Sequence, residues 1–202
     1  AGIVRNEQSA RTSAAVATAI GKRLGDDKLA VVAQIALGRT LIHARQAAEG
    51  RALCEEAAKR ATATGDADIL QTTEAATCVA EAMVMQGRWG ELTTLVDAQK
   101  PLIREAFGDA HPTMAAWLIF EFSVAFNAAD YKKARPLLEQ ARAIFTRVYG
   151  EDYFRTLQTL QYEANIDYWE DNSPAAVPKL RALIARVEQK PNVDPLFLSQ
   201  LY

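Results

Sequence analysis

The side chains that most often do chemistry are sparse in this sequence and are not clustered. Its two histidines, His43 and His111, lie far apart along the chain. No serine or cysteine has a nearby histidine that would activate it as a nucleophile. The adjacent acids Glu55 and Glu56 would point to different faces of a helix, and no glycine-rich phosphate loop is present. The sequence therefore predicts no catalytic residue, no metal site and no cofactor.

Both histidines have a structural interpretation. His111 precedes Pro112 in a predicted linker, where we expect it to contribute to the turn and to cap the next helix. His43 falls late in a predicted helix, where we expect a partly buried structural side chain. A functional histidine is the competing interpretation at each position, and for His43 this would be a ligand or a base.

Cys54 and Cys78 are the only cysteines. They lie on two predicted helices that should be neighbours, so a disulfide between them is feasible. Two buried thiols are the alternative, because free cysteine is among the most buried residue types. A disulfide would require an oxidising compartment. The sequence thus slightly favours the cytoplasm and allows the periplasm if the two cysteines are bridged.

Composition and charge exclude several classes of protein. The chain has 202 residues, of which 50% are apolar and 24% are charged, as in an ordinary folded domain. Alanine is the most abundant residue type, which favours helices. The net charge of -2 predicts no direct binding to nucleic acid. The sequence has no apolar run long enough to cross a bilayer, so no membrane span is expected in this segment.

A short glycine-acid motif divides the chain at nearly regular intervals. The motifs begin at Gly25, Gly65, Gly108 and Gly150, so the three intervals between them are almost equal. Glycine suits the left-handed position that ends a helix, and the following acid suits the start of the next helix. Apolar residues between the motifs recur with helical spacing and show no alternation of period two.

This pattern predicts a leading helix followed by four helix pairs. The leading helix covers 7–24, and a further helix begins within 194–202. We expect Pro101 to kink or break its helix. The predicted pairs span 27–63, 68–107, 112–148 and 153–189, with the helices at 27–44 and 46–63, 68–86 and 88–107, 112–128 and 131–148, and 153–169 and 174–189.

The segment 108–152 resembles a tetratricopeptide repeat of the 42-residue subgroup found in kinesin light chain and in many bacterial regulators. The resemblance rests on the Gly-Asp-Ala-His-Pro linker at 108–112 and on Tyr131, Ala134 and Ala141. It implies an all-α, right-handed α-solenoid of stacked antiparallel helix pairs with about 9–10 helices. Residues 1–202 would form a single such repeat domain, cut from a longer protein.

Stacking physics agrees with this fold, because one helix pair cannot bury its apolar face alone. Small residues on one helical stripe allow neighbouring helices to approach closely. The small position is held by Gly50, Ala134 and Ala176, whereas Leu92 departs from the pattern. The first helix of the third pair is apolar on all sides, which indicates either burial or an exposed patch that meets a partner.

The first helix of each pair should line the concave face of the stack. Residues spaced 3, 7 and 10 positions apart share one helical face and give a candidate ligand- or peptide-binding set. Within that set, a row of amides could hold an extended peptide backbone, because amides both donate and accept hydrogen bonds. Solvated helix positions are the alternative. The candidate set is Arg39, Glu74, Thr77, Glu81, Ser123, Phe126, Gln158, Gln161, Asn165 and Tyr168.

These observations favour a non-catalytic module that binds a protein or peptide segment. The resemblance implies that it is the sensor or interaction domain of a larger bacterial regulatory protein. A structural scaffold or homodimerisation domain is the alternative, because the terminal helices of a cut solenoid would keep apolar faces that can pair.

Overall fold

The computed structural model describes residues 2–63, residues 68–189 and Phe197. Every regular element in these residues is an α-helix, which confirms the prediction of an all-α chain. The predicted helix at 194–202 lies outside the described residues except for Phe197. The helices are α1 (Gly2–Leu24), α2 (Asp27–His43), α3 (Ala47–Ala63), α4 (Ile69–Gln86), α5 (Trp89–Phe107), α6 (Pro112–Asn127), α7 (Tyr131–Tyr149), α8 (Phe154–Trp169) and α9 (Ser173–Glu188).

The chain divides into two compact units, Ala1–Ala106 and Phe107–Tyr202. In the first unit, α2 packs against α1, α3 and α4, and α3 also packs against α4. In the second unit, α7 packs against α6 and α8, and α8 packs against α9. Within each unit, therefore, a helix hairpin packs on the one that follows it along the chain.

Each described glycine-acid motif lies between the end of one helix and the start of the next. The N-cap of the next helix is not always the acid of the motif. Gly25, Gly108 and Gly150 have positive φ angles of 67°, 79° and 88°, as a helix-ending glycine requires. Gly65 lies outside the described residues. Asp26 caps α2 by accepting from two backbone N–H groups. After Gly108, the N-cap is instead His111, whose Nδ1 accepts from the backbone N–H of Thr113 at 3.2 Å.

Of the predicted kink or break at Pro101, the break does not occur. α5 continues from Trp89 to Phe107 with Pro101 inside it. The proline is exposed, so the lost hydrogen bond leaves a carbonyl on the side that water can reach. Val96 and Ile103 are buried on either side of it.

Small residues lie where helices approach most closely. Ala134 and Ala141 are fully buried on α7, and Ala176 is 1% exposed on α9. Gly50 on α3 is also buried, and a Cβ there would lie 2.6 Å from the carbonyl oxygen of Gly38. Only glycine fits such a contact. Leu92 occupies the corresponding position of α5 and is itself fully buried.

The apolar helix of the third pair is buried on most of its surface. Trp117 is fully buried on α6, and Phe120 and Phe122 are 9% and 3% exposed. Of the two alternatives for this helix, burial and an exposed patch, the structure therefore has burial. These side chains do not form an exposed surface for a partner.

An arginine that links one hairpin to the following one recurs along the chain. Arg11 of α1 donates to both carboxylate oxygens of Glu49, at 2.8 and 3.0 Å, and to Gln46. Arg51 of α3 donates to Glu91 at 2.7 Å and to Gln86.

The third such link lies in the second unit, where Arg135 of α7 donates to Glu170 at the end of α8. In all three cases the arginine reaches a side chain 35 positions later. A constant sequence offset for the same contact is what a regular translation between hairpins produces. In the corresponding stretch of α5, the sequence has Thr93 and Thr94 in place of such an arginine.

We expect Arg51→Ala to lower the free energy of unfolding by ~1–2 kcal/mol, because its guanidinium holds carboxylates on two elements. Arg60→Ala is the matched control, since within the part of the chain that the structure describes Arg60 pairs with Glu56 of its own helix; its effect should stay within ~0.5 kcal/mol. Urea unfolding followed by circular dichroism measures both. Equal losses in the two variants would mean that the link between hairpins contributes nothing specific.

Candidate binding groove and the cystine beneath it

A groove of about 460 Å³ lies in the first unit between α2 and α4. α2 contributes Val32, Ile35, Ala36 and Arg39, and α4 with its N-cap contributes Asp68, Leu70, Gln71 and Glu74. Val32 and Leu70 are 52% and 55% exposed, although both are large apolar side chains. The groove therefore offers apolar surface to a ligand along most of its length and charged groups at its ends.

Three residues of the predicted set meet at one end of this groove. The Arg39 guanidinium lies 2.7 Å from a Glu74 carboxylate oxygen and 3.3 Å from a Glu81 oxygen. The arginine is on α2 and both acids are on α4, so the triad links the first helices of two successive hairpins. The helical spacing that selected these three residues in the sequence therefore identified side chains that lie in contact in the structure.

Thr77, the fourth predicted residue of this unit, is half-buried between the two glutamates along α4. Its hydroxyl donates to the carbonyl of Thr73 at 2.8 Å, within the same helix. The hydroxyl hydrogen is therefore used locally.

The cysteine pair lies in the core behind the groove-lining helices. Cys54 of α3 and Cys78 of α4 are fully buried, and their sulfur atoms are at bonding distance with Cα atoms 5.7 Å apart. Of the two alternatives that the sequence left open, the structure has the disulfide. Cys78 lies on α4 between Glu74 and Glu81, so the cystine joins α3 to the helix that carries both acids.

A glycine makes room for this cystine. A Cβ on Gly38 would lie 2.5 Å from the Cys54 sulfur and 3.4 Å from the Cys78 sulfur. Gly38 directly precedes Arg39 in α2. The contact between α2 and the cystine thus sets the position of the helix that carries the groove's arginine.

In the second unit, the predicted amide row is not an accessible row. Gln161 is 7% exposed, because its part of α8 faces the interior. Gln158 and Asn165 are half-buried on either side of it. The predicted binding face of α8 was therefore rotated toward the core at Gln161. The side chain of this residue is too buried to contact a peptide.

The remaining predicted residues of this unit have other contacts. Ser123 donates to the carbonyl of Ile119 at 2.9 Å. Phe126 is half-buried between the rings of Phe122 and Tyr131, at centroid distances of 5.6 and 5.7 Å. Tyr168 is 58% exposed at the end of α8.

A charged network on α7, α8 and α9 was not predicted. Asp167 is buried on α8 and pairs with Arg135 at 2.6 Å and with Lys179 at 2.7 Å. Glu163, one turn earlier, pairs with Arg142 and, at 2.7 Å, with the same lysine. The spacing of four between the two acids marks one helix face, which was the only sequence signal for this network.

Two opposing effects act on these carboxylates. Burial disfavours the ionised form of Glu163 and Asp167, but the hydrogen bonds from Lys179 and the arginines outweigh it. The pKa of each carboxylate is therefore lowered from its ordinary value. The ion pairs of this network thus link α7 and α9 to α8, and they keep both carboxylates paired with cations.

His43 is exposed, so the expectation of a partly buried side chain was wrong; it lies in the last turn of α2, where the helix meets water. His111 has the capping role that was predicted. Among the described residues, no group of three or more His, Cys, Asp or Glu side chains could hold a metal ion. In the same part of the chain, no helix has both the length and the apolar character needed to cross a membrane.

The hairpins stacked within each unit are those of an all-α helical-repeat fold. No protein-family model matches the chain, and no curated protein matches it. Among solved structures it is similar to BtubC (BKLC) from P. vanneervenii, a kinesin-light-chain-like protein. The TM-score is 0.77 at 17% sequence identity, over 100% of this chain and 80% of that chain. At this identity the likeness shows the fold alone.

We expect Gly38→Ala to destabilise the chain by ~1–3 kcal/mol, because the added methyl group must displace the cystine or separate α2 from α3. Gly90→Ala on α5 is the matched control, since its Cβ would meet nothing within 4 Å. That variant should be neutral or gain up to ~1 kcal/mol from the higher helix propensity of alanine. Urea midpoints measure both changes, and a Gly38→Ala variant as stable as the control would contradict the close packing.

Proposed function

We propose that this chain is a non-catalytic protein- or peptide-binding module of the kinesin-light-chain-like tetratricopeptide subgroup. The groove between α2 and α4 is the observation that carries the proposal, because it combines exposed apolar side chains with a charged triad. Binding sites for peptides commonly have this composition: an apolar surface supplies affinity, and a few polar groups fix orientation. The fold supports it, since stacked helix pairs create extended surfaces of this kind.

The wider setting follows from the sequence and is part of the same proposal. Residues 1–202 would form one repeat domain, because the interval between glycine-acid motifs is maintained along its length. The domain would be the sensor or interaction part of a larger bacterial regulatory protein. The Cys54–Cys78 pair supports an oxidising compartment such as the periplasm, because disulfides persist there.

The test is selection from a random octamer library displayed on phage, with the folded chain as bait. We expect enriched peptides whose binding is lost in Val32→Asp, because a carboxylate would replace an exposed apolar wall of the groove. Val177→Asp is the control, since Val177 is a similarly exposed helical valine on α9, outside the groove. Library pools that show no enrichment, or peptides that bind both variants equally, would overturn the proposal.

Homodimerisation is the second candidate, and α1 provides a specific observation for it. Val16, Ile20 and Leu24 recur every four residues and are 53%, 46% and 71% exposed. Such a stripe on one helix face suits pairing with the same stripe of a second copy. Light scattering over a concentration series should then show a dimer that Ile20→Lys returns to monomer. A wild-type monomer at every concentration would exclude this candidate.

A further inference from the structure

The α2–α4 groove carries more negative than positive charge. Its carboxylates are Asp68, Glu74 and the adjoining Glu81, and the cations paired with them are Arg39 and Lys28. Arg39 is shared by both glutamates, so one positive charge faces two negative charges at that end. At the other end, Lys28 approaches Asp68 no closer than 3.8 Å.

Glu74 borders the groove and is the most exposed of these acids. Glu74 is 52% exposed along its side chain, against 20% for Glu81. A carboxylate has two oxygens and about four lone pairs, so Glu74 can accept further hydrogen bonds while it holds Arg39. A cation placed in the groove beside Glu74 would complete the charge balance of the triad. A carboxylate in the same place would meet two like charges.

The apolar and charged parts of the groove lie a defined distance apart. Leu70 and Glu74 both line the groove and are four residues apart on α4, which corresponds to roughly 6 Å along the helix. An extended peptide advances about 3.3 Å per residue. A peptide along the groove would therefore span the interval with about two residues, a spacing at which extended side chains point to the same face.

We propose that the occupant of this groove is an extended segment with an aliphatic side chain and, about two residues away, a lysine or arginine. The aliphatic side chain packs between Val32 and Leu70, and the cation pairs with Glu74 and, behind it, Glu81. This inference rests on the proposed peptide-binding function and specifies the chemistry of its partner.

The selected octamers themselves test this chemistry. Their sequences should be enriched in lysine or arginine about two positions from leucine, isoleucine or valine. The best such peptide, made synthetically with a fluorescent label, should bind at least about ten-fold more weakly to the Glu74→Gln/Glu81→Gln variant, as the loss of charge-assisted hydrogen bonds implies. Glutamine keeps the shape and the possible contact with Arg39, so the measurement isolates the charge.

Glu56→Gln is the matched control, because Glu56 is an equally exposed acid with one arginine partner on α3, outside the groove. Its affinity should equal that of the unaltered chain. Groove-dependent peptides that are acidic or uncharged, or peptides insensitive to the double variant, would overturn this inference and leave the proposed function standing. A library that yields no groove-dependent peptide would overturn both.

Discussion

The close approach of successive helices is the constraint on which the first unit depends. Each amphipathic helix must bury its apolar stripe against a neighbour, and the distance of approach is set by the smallest side chains at the contact. At the contact of α2 with α3, both partners are glycines: a Cβ on Gly50 would lie 2.6 Å from the Gly38 carbonyl oxygen. The cystine of Cys54 and Cys78 occupies the space that the missing Gly38 side chain leaves.

This packing also positions the groove. Gly38 precedes Arg39, and Cys78 lies between Glu74 and Glu81 on α4. Since the core contact involves Gly38 and Cys78, the same turns of helix carry the core on one side and the charged triad on the other. A binding surface built on two packed helices is held more firmly than one built on loops. The packing of the core beneath the groove therefore sets the geometry of the groove.

Periodicity made most of the fold predictable, because each helix is long enough to show its apolar stripe over several turns. The triad of Arg39, Glu74 and Glu81 was predictable for the same reason, since one helical phase selected all three. Gln161 was misplaced because a small error in phase moves a residue from the surface into the core. The continuity of α5 through Pro101 was not predicted, because local propensity does not show that Val96 and Ile103, on either side of the proline, are buried. The network around Asp167 was not predicted, because it is built from side chains of three helices. Its only trace in the sequence is the four-residue spacing of Glu163 and Asp167.

The most direct measurement of the central claim is the mapping of a bound peptide by nuclear magnetic resonance. A ¹⁵N-labelled chain would be titrated with a library-selected octamer, and the amide shifts would be followed residue by residue. The account predicts that the largest changes fall at Val32, Ala36, Arg39, Leu70 and Glu74, on the two helices that form the groove. Changes concentrated on other helices, with these amides unmoved at saturation, would contradict it.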